Sequence, residues 1–332
     1  MAYQLGLVHT LAELEDWYKG QRDGVGETLE LMNMTNDVLS DIPWMESNMS
    51  DGHKTRIRTG LPTIYYRRLY RGTPPSKGQW SEVKEVTSMY EARQELDIKE
   101  VELYGDKARA FRLSEGKSFM EAMRQKVART LFYGANDTTP DEFNGFAIRY
   151  SDASKSHVIS AGGSTSAANT SMWLVCWGSD TCHGLYPKGS KAGISHKDLG
   201  TYMTTDTAGN KFQCVGDLYG WDCGLAVRDW RAVVRICNIP TASLMKRAGE
   251  TGFIDLQKLT IQAKNIMPEQ MRGKAVWYCN SDVLTALELQ SIDKGNVHLQ
   301  YGEYFDSKNV PFLHGRPIRQ CDCLVGTEDV VS

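Results

Sequence analysis

The chain has 332 residues, of which 41% are hydrophobic and 24% charged, with 30 glycines and only 10 prolines; this is the make-up of a folded globular protein and excludes disordered and fibrous classes. Its 38 Lys and Arg against 41 Asp and Glu leave a net charge of −3, where a general nucleic-acid binder would carry a basic excess or stripe. No apolar run approaches the ~18 residues of a membrane span, and Glu13, Glu15 and Asp16 interrupt any export signal, so the expectation is a cytoplasmic chain without membrane attachment.

The first sixty residues hold one helical candidate, Leu11–Tyr18, followed by a polar stretch from Glu27 onward. Apolar residues there are scattered singly, and Pro43 forbids a long helix. The stretch reads as an extended arm that must bury Leu39, Ile42 and Trp44 against something else.

From Thr63 to Arg71 aromatic and aliphatic residues alternate with arginine: Ile64, Tyr65, Tyr66, Arg67, Arg68, Leu69, Tyr70, Arg71. That density of β-branched and aromatic residues favours a strand. The turn signal Gly72–Gly78, with two prolines, and a second strand from Trp80 to about Tyr90 complete a predicted hairpin. Its arms of roughly ten residues would be about 30 Å long at ~3.3 Å per residue. A lone two-stranded hairpin is marginal in water. This one carries Arg67, Arg68, Arg71, Lys77, Glu82, Lys84 and Glu85, and its mixture of aromatic residues and arginine is what protein interfaces favour.

Ser118-Phe119-Met120-Glu121 forms a capping box within a helix whose start could lie as early as Ser114. Phe119, Met123, Val127 and Leu131 follow one another at i+4, and Gly134 closes the element. A helix of about 20 residues would be ~30 Å long. Beyond a turn-rich connector at Thr139–Phe146 and a polar loop at Ser160–Ser171, Met172–Trp177 is continuously apolar, as a fully buried strand would be. Further strands are expected at Phe212–Val215, Leu225–Val227, Ala232–Cys237 and Ala275–Cys279, and helices at Asp255–Ile266 and Ser281–Ile292. The fold class is α+β, with a mixed α/β domain in the second half.

Three chemistries suggest themselves and are set aside. Gly184-Leu185-Tyr186-Pro187-Lys188-Gly189-Ser190-Lys191 has the wrong order for a phosphate loop, and Pro187 removes a backbone donor. Cys176, Cys182 and His183, with Cys321 and Cys323, match no strong zinc spacing. A Cys–His hydrolase would need Cys182 or Cys223 beside His157, His183, His196 or His298, and spacing alone brings none together. The eight cysteines, Cys176 to Cys323, all lie in the second half and read as buried reduced thiols. No catalytic, metal or cofactor residues are assigned.

The order of elements is arm, charged hairpin, single long helix, mixed α/β domain. With it come Asn36-x-x-Leu39-x-Asp41-Ile42-Pro43-Trp44, Leu61-Pro62-Thr63, Tyr66-Arg67, Leu131-Phe132-Tyr133-Gly134, Thr139-Pro140-Asp141-Glu142-Phe143-x-Gly145, Ser171-Met172-Trp173-Leu174-Val175, Tyr186-Pro187-Lys188-Gly189-Ser190, Trp221-x-x-Gly224-Leu225 and Arg231-x-Val233-x-Arg235-Ile236-x-Asn238-Ile239. In this order the chain resembles the major capsid proteins of tailed double-stranded DNA phages, of the Hong Kong 97-type fold, in the short-tailed branch.

The resemblance implies an amino-terminal arm at 1–60, an extended loop at 61–104, and a peripheral domain at 105–150 with a spine helix at 114–133. It also implies an axial domain over most of 151–300 and a return to the peripheral domain at 301–332. It implies a structural protein that assembles as hexamers and pentamers of an icosahedral head around double-stranded DNA, with no sequence-specific binding. The virion would be built in a bacterial cytoplasm, with a separate scaffold protein, since only some 26 residues precede Glu27, and with portal and decoration proteins as further partners. Inter-subunit contacts would come from Tyr65, Tyr66, Arg67, Arg68, Tyr70, Arg71, Lys77, Trp80, Glu82, Lys84 and Glu85 on the loop, and from Leu39, Asp41, Ile42 and Trp44 on the arm. Lys77 and Lys84 sit where some members carry a cross-linking lysine, but no matching asparagine is identified, so the bond is not carried over. A nanocompartment shell protein of the same fold is the structural alternative, and the Cys/His hydrolase the enzymatic one.

Overall fold

A computed structural model describes residues 36–49, 52–247, 249–293, 299–304 and 307–332. The helical candidate Leu11–Tyr18 and the arm up to Thr35 lie outside the described residues. The chain divides into two compact units.

One unit comprises Glu91–Ala122 with His196–Tyr219. Its strand β7 (Ser195–Thr205) pairs with β8 (Lys211–Val227). Arg112 anchors this unit: its Nη2 donates to Oδ1 of Asp217 at 2.9 Å and lies 3.2 Å from Asp198, while His196 Nε2 sits 2.9 Å from the same Asp217 oxygen. Tyr219 stacks between His196 (5.1 Å) and Phe119 (6.1 Å), and its hydroxyl donates to Gln94. Tyr202 receives Arg93 over its ring face at 4.9 Å and donates its hydroxyl to Glu95.

The other unit comprises the described residues of Met34–Tyr90, Met123–Ser195 and Gly220–Ser332. Its core is a seven-stranded mixed sheet of order β11-β12-β13-β10-β5-β9-β4: Leu299–Tyr304, Ser307–Leu313, Arg316–Gln320, Ala275–Cys279, Asn169–Cys176, Val233–Pro240 and Val158–Ser160. Every residue of β5 is buried, and so is all of β10, which explains why both read as unbroken apolar runs rather than as alternation. Helices at Leu256–Ile266 and Ser281–Asp293 contribute Leu256, Ala263, Val283, Ala286 and Leu287 to the cluster that includes Trp277, Met172 and Val234.

The long helix α1 runs from Ala108 to Tyr133, six residues earlier than the expected start at Ser114. In this second unit its Met123, Val127, Ala128, Leu131 and Phe132 are buried, the stripe set by i+4 spacing. Phe132 meets Phe146 at 5.7 Å and Trp173 at 6.0 Å, so the end of the helix is seated on the sheet by aromatic contacts. Gly145 permits the turn that follows: its amide donates to Gly134 O at 2.8 Å, and a Cβ there would stand 2.6 Å from Thr130 O. The C-terminal residues return to the same place. Glu328 accepts from Tyr133 and Ser171 hydroxyls, both at 2.5 Å, and pairs with Arg235 at 2.8 Å.

A second sheet, of which β3 up to Tyr90 and β8 from Gly220 belong to this unit, has the order β1-β6-β8-β3-β2, with β1 at Trp44–Glu46, β2 at Gly52–Gly60, β3 at Gln79–Asp97 and β6 at Cys182–Tyr186. β1 runs parallel to β6, which is antiparallel to β8, and β2 is antiparallel to β3. The hairpin therefore exists, but its first strand is Gly52–Gly60 and not Thr63–Arg71. β2 alternates Lys54, Arg56 and Arg58 on one face with Thr55 and Ile57 on the other, a period-2 signal weaker than the aromatic run after it. The hairpin accordingly begins at Gly52, ahead of the boundary expected at 61.

Candidate assembly surface

Residues 61–78 form an irregular tip between β2 and β3, held at its base by the Gly60–Gln79 pairing. Within the tip, Ser76 Oγ donates to Thr63 O at 2.7 Å and Arg71 N to Arg68 O at 3.2 Å. Tyr70 adopts φ 60°, a left-handed conformation uncommon for a residue of its bulk. Ile64 is 92% exposed, Leu69 88%, and Tyr66 and Tyr70 are fully exposed. Soluble monomers rarely display so much contiguous apolar surface without a partner. The tip also carries Arg67, Arg68, Arg71 and Lys77 and no acidic residue, so a complementary surface would be apolar and acidic. Residues Thr63–Arg71 have strong β-propensity and no partner strand among the described residues; propensity of this kind measures how well side chains fit a packed surface.

Down the hairpin the charges are satisfied locally. Arg56 Nε lies 2.9 Å from Glu82 Oε1 and Lys54 Nζ 2.5 Å from Glu82 Oε2, and these hydrogen bonds, Lys54's first, hold the Glu82 carboxyl below its ordinary range. Arg58 lies over the Trp80 ring at 4.5 Å. Glu85 is buried and receives both guanidinium nitrogens of Arg149, at 2.7 and 2.5 Å. Glu85 was expected at an inter-subunit contact; within its own chain it is buried in a forked pair with Arg149. Lys84 stands opposite Lys54 in the ladder.

The arm expectation also needs correction. Asp41 accepts from Tyr278 Oη at 2.8 Å and pairs with Arg319 at 3.2 Å, its side chain 2% exposed. Burial pushes its carboxyl up, against the pull of the Tyr278 hydrogen bond and Arg319. Ile42 is 4% exposed, and Trp44 pairs with Gly184 in the β1–β6 ladder. A Cβ at Gly184 would stand 2.5 Å from the Trp44 ring and 2.8 Å from Ile42, so the glycine is the floor on which the arm rests. Asp41 and Ile42 thus serve their own subunit, while Leu39 and Trp44 remain half-buried.

For the enzymatic alternative, no hydrogen bond joins Cys182 or Cys223 to a histidine among the described residues, and His298 lies outside them. Cys182 and Cys223 are wholly buried, and burial pushes both thiols far above the thiol range, the opposite of an activated nucleophile. All eight cysteines are buried and free. In the Gly184–Lys191 tract, the Gly189 amide donates to Glu46 Oε1 at 2.9 Å with φ +85°, a tight turn closed by a carboxylate rather than a phosphate cradle.

The missed strands are β1, β4, β6, β7 and those after residue 298, together with the full length of β8. Trp44-Met45-Glu46 is too short to signal a strand by itself, and its parallel partner lies far along the sequence.

The model of the family described as major capsid protein GP7 matches residues 20–332. Among solved structures, that of bacteriophage Epsilon15 aligns with a TM-score of 0.72 at 28% identity, over 98% of this chain and 99% of that one. The bacteriophage JBD30 capsid aligns at 0.50 with 7% identity, over 95% and 99%. The SrpI encapsulin of Synechococcus elongatus PCC 7942 gives 0.47 with 9% identity, over 70% and 97%. No curated protein sequence matches. The chain belongs to the major capsid protein GP7 family: it is a phage capsid subunit of the Hong Kong 97-type fold, which places it in the virion shell as one of many copies.

Proposed function

We propose that subunits of this capsid protein join as hexamers and pentamers of an icosahedral head, and that the tip at 61–78 is the part of each subunit that grips a sister copy. The reading rests on one observation: Ile64, Tyr66, Leu69 and Tyr70 stand almost fully in water on a tip with four cations and no acid. Burying one such side chain contributes about 1.5–3 kcal/mol, and closed symmetry repeats a modest contact many times over. Tyr65, Arg67, Arg68, Arg71, Lys77 and Trp80 belong to this gripping surface, with Leu39 and Trp44 available on the arm; Glu82 and Lys84 act through the hairpin's own ladder. The peripheral domain spans 105–150, the axial domain most of 151–300, and residues 301–332 return to the peripheral domain.

The shell encloses double-stranded DNA without reading its sequence. A net charge of −3 suits this task, since strong phosphate contacts would make the shell's hold on DNA salt-dependent and oppose release. The protein acts as a structural element and not as an enzyme, with scaffold, portal and decoration functions supplied by other chains. Replacing residues 61–78 by Asn-Gly tests the proposal. The variant is expected to unfold at the same urea concentration as the parent chain yet form no shells by electron microscopy, and normal particles from it would overturn the proposed role.

A further inference from the structure

The base of the hairpin holds a polar cluster apart from the tip at 61–78. His53, at the start of β2, is held from two sides: Asn48 N–H points at Nδ1 from 3.3 Å and Arg228 Nη2 at Nε2 from 2.9 Å. Both neighbours are donors, and a guanidinium can only donate. A neutral imidazole has a single acceptor nitrogen, so one of these contacts sets donor against donor. Behind it His183, on β6, is 0% exposed, and neither ring nitrogen has a hydrogen-bond partner. The two rings meet edge to face at 6.1 Å. A buried polar atom without a partner has lost its hydration with nothing in return.

The surroundings leave the hairpin room to move. A cleft of about 560 Å³ opens between Thr55–Arg58 and the Arg228–Arg231 loop. Another of about 340 Å³ lies under Ile57 and Val83, against Tyr150 and Val227. Beyond the backbone pairing of β3 with β8, side-chain ties across this gap include the His53–Arg228 contact and the Glu85–Arg149 pair.

We propose that His53, His183 and Arg228 form an acid-sensitive latch, which holds the base of the β2–β3 hairpin against β6 at neutral pH and releases it on acidification. The charges facing the pair are Arg228 from the loop after β8, Glu85 from β3 and Asp180 from the turn before β6. Adding a proton to His53 turns both ring nitrogens into donors against Asn48 N–H and Arg228, and adding one to His183 places a cation in a site closed to water beside the same guanidinium. Glu85 draws the other way at His53, but its two oxygens are already given to Arg149. Burial, then Arg228 and His53, hold the His183 imidazole down to about 4; His53 is also lowered, by burial first and Arg228 second.

The sign follows from linkage. Each ring has a lower affinity for protons in the closed state than in water, so the open state binds more protons and gains as pH falls below about 6.5. For His183 alone, with about 4 in the closed state and 6.5 in the open one, the opening equilibrium rises about 30-fold between pH 8 and pH 5.

Hydrogen exchange on the full-length unassembled subunit tests this, with exchange times corrected at each pH for intrinsic chemistry. Peptides covering Gly52–Gly60 and 79–88 should lose protection about 30-fold between pH 8 and 5, while β5 and β9 change less than threefold. His53→Gln with His183→Phe, which removes both titrating rings, should flatten that profile. Hairpin-base protection that is constant with pH, or that falls only in step with β5 and β9, overturns the latch. So does a wild-type profile retained in the double variant; the wild-type profile alone decides the matter if that variant does not fold.

Discussion

Replacing Glu328 by Gln removes one charge from the centre of the larger unit, and its cost can be worked from the geometry. Glu328 and Arg235 are 6% and 4% exposed and 2.8 Å apart. The carboxylate also accepts from Tyr133 and Ser171, at 2.5 Å each, while Arg235 donates to Tyr150 O at 3.0 Å and lies 4.9 Å from the Trp173 ring centre. Burial, followed by the Glu328 charge, pushes the Tyr133 phenol far up, so it stays a donor. A glutamine of the same shape offers one acceptor and one donor to a ring of donors and leaves the guanidinium uncompensated. Breaking a buried pair in this way costs about 3–5 kcal/mol. Urea unfolding followed by tryptophan fluorescence should show that loss for Glu328→Gln. The double variant with Arg235→Met should recover part of it, with a coupling of at least about 1 kcal/mol. A single variant within about 1 kcal/mol of the parent would refute the claim that this pair pins the C-terminal residues to the end of α1.

Gly184→Ala should destabilise the larger unit by about 1–3 kcal/mol and raise protease access to residues 36–49, because the added methyl enters the space of Trp44 and Ile42; proteolysis that is unchanged would contradict the packing. The eight buried thiols should stay unreactive towards a thiol reagent at pH 8 until urea unfolds the chain. Rapid native labelling of Cys182 or Cys223 would contradict their burial.

How much of this was legible in the sequence depended on the range of the contacts involved. The stripe Met123, Val127, Leu131 and the apolar run of β5 carry their periodicity within one element, and both were read correctly. The hairpin was located but shifted, because Tyr65, Tyr66 and Tyr70 advertise a strand more loudly than Lys54-Thr55-Arg56-Ile57-Arg58 does. Those tyrosines have no partner strand among the described residues, and pattern alone does not distinguish a partner strand from a partner molecule. Asp41 was expected to face a neighbour from the resemblance of the arm and Glu85 from the charged hairpin; Arg319 and Arg149, which pair with them, lie 278 and 64 residues away. Such long-range ion pairs leave no periodic signal. The family itself was readable from the order of modest motifs along nearly the whole chain.

The most direct measurement is a cryo-electron microscopy structure of the assembled particle at side-chain resolution. The account predicts that residues 61–78 of each subunit lie on another copy, with Tyr66, Leu69 and Tyr70 shielded from water by an apolar, acid-bearing surface. A tip left standing in solvent, or folded back onto its own subunit, would contradict it.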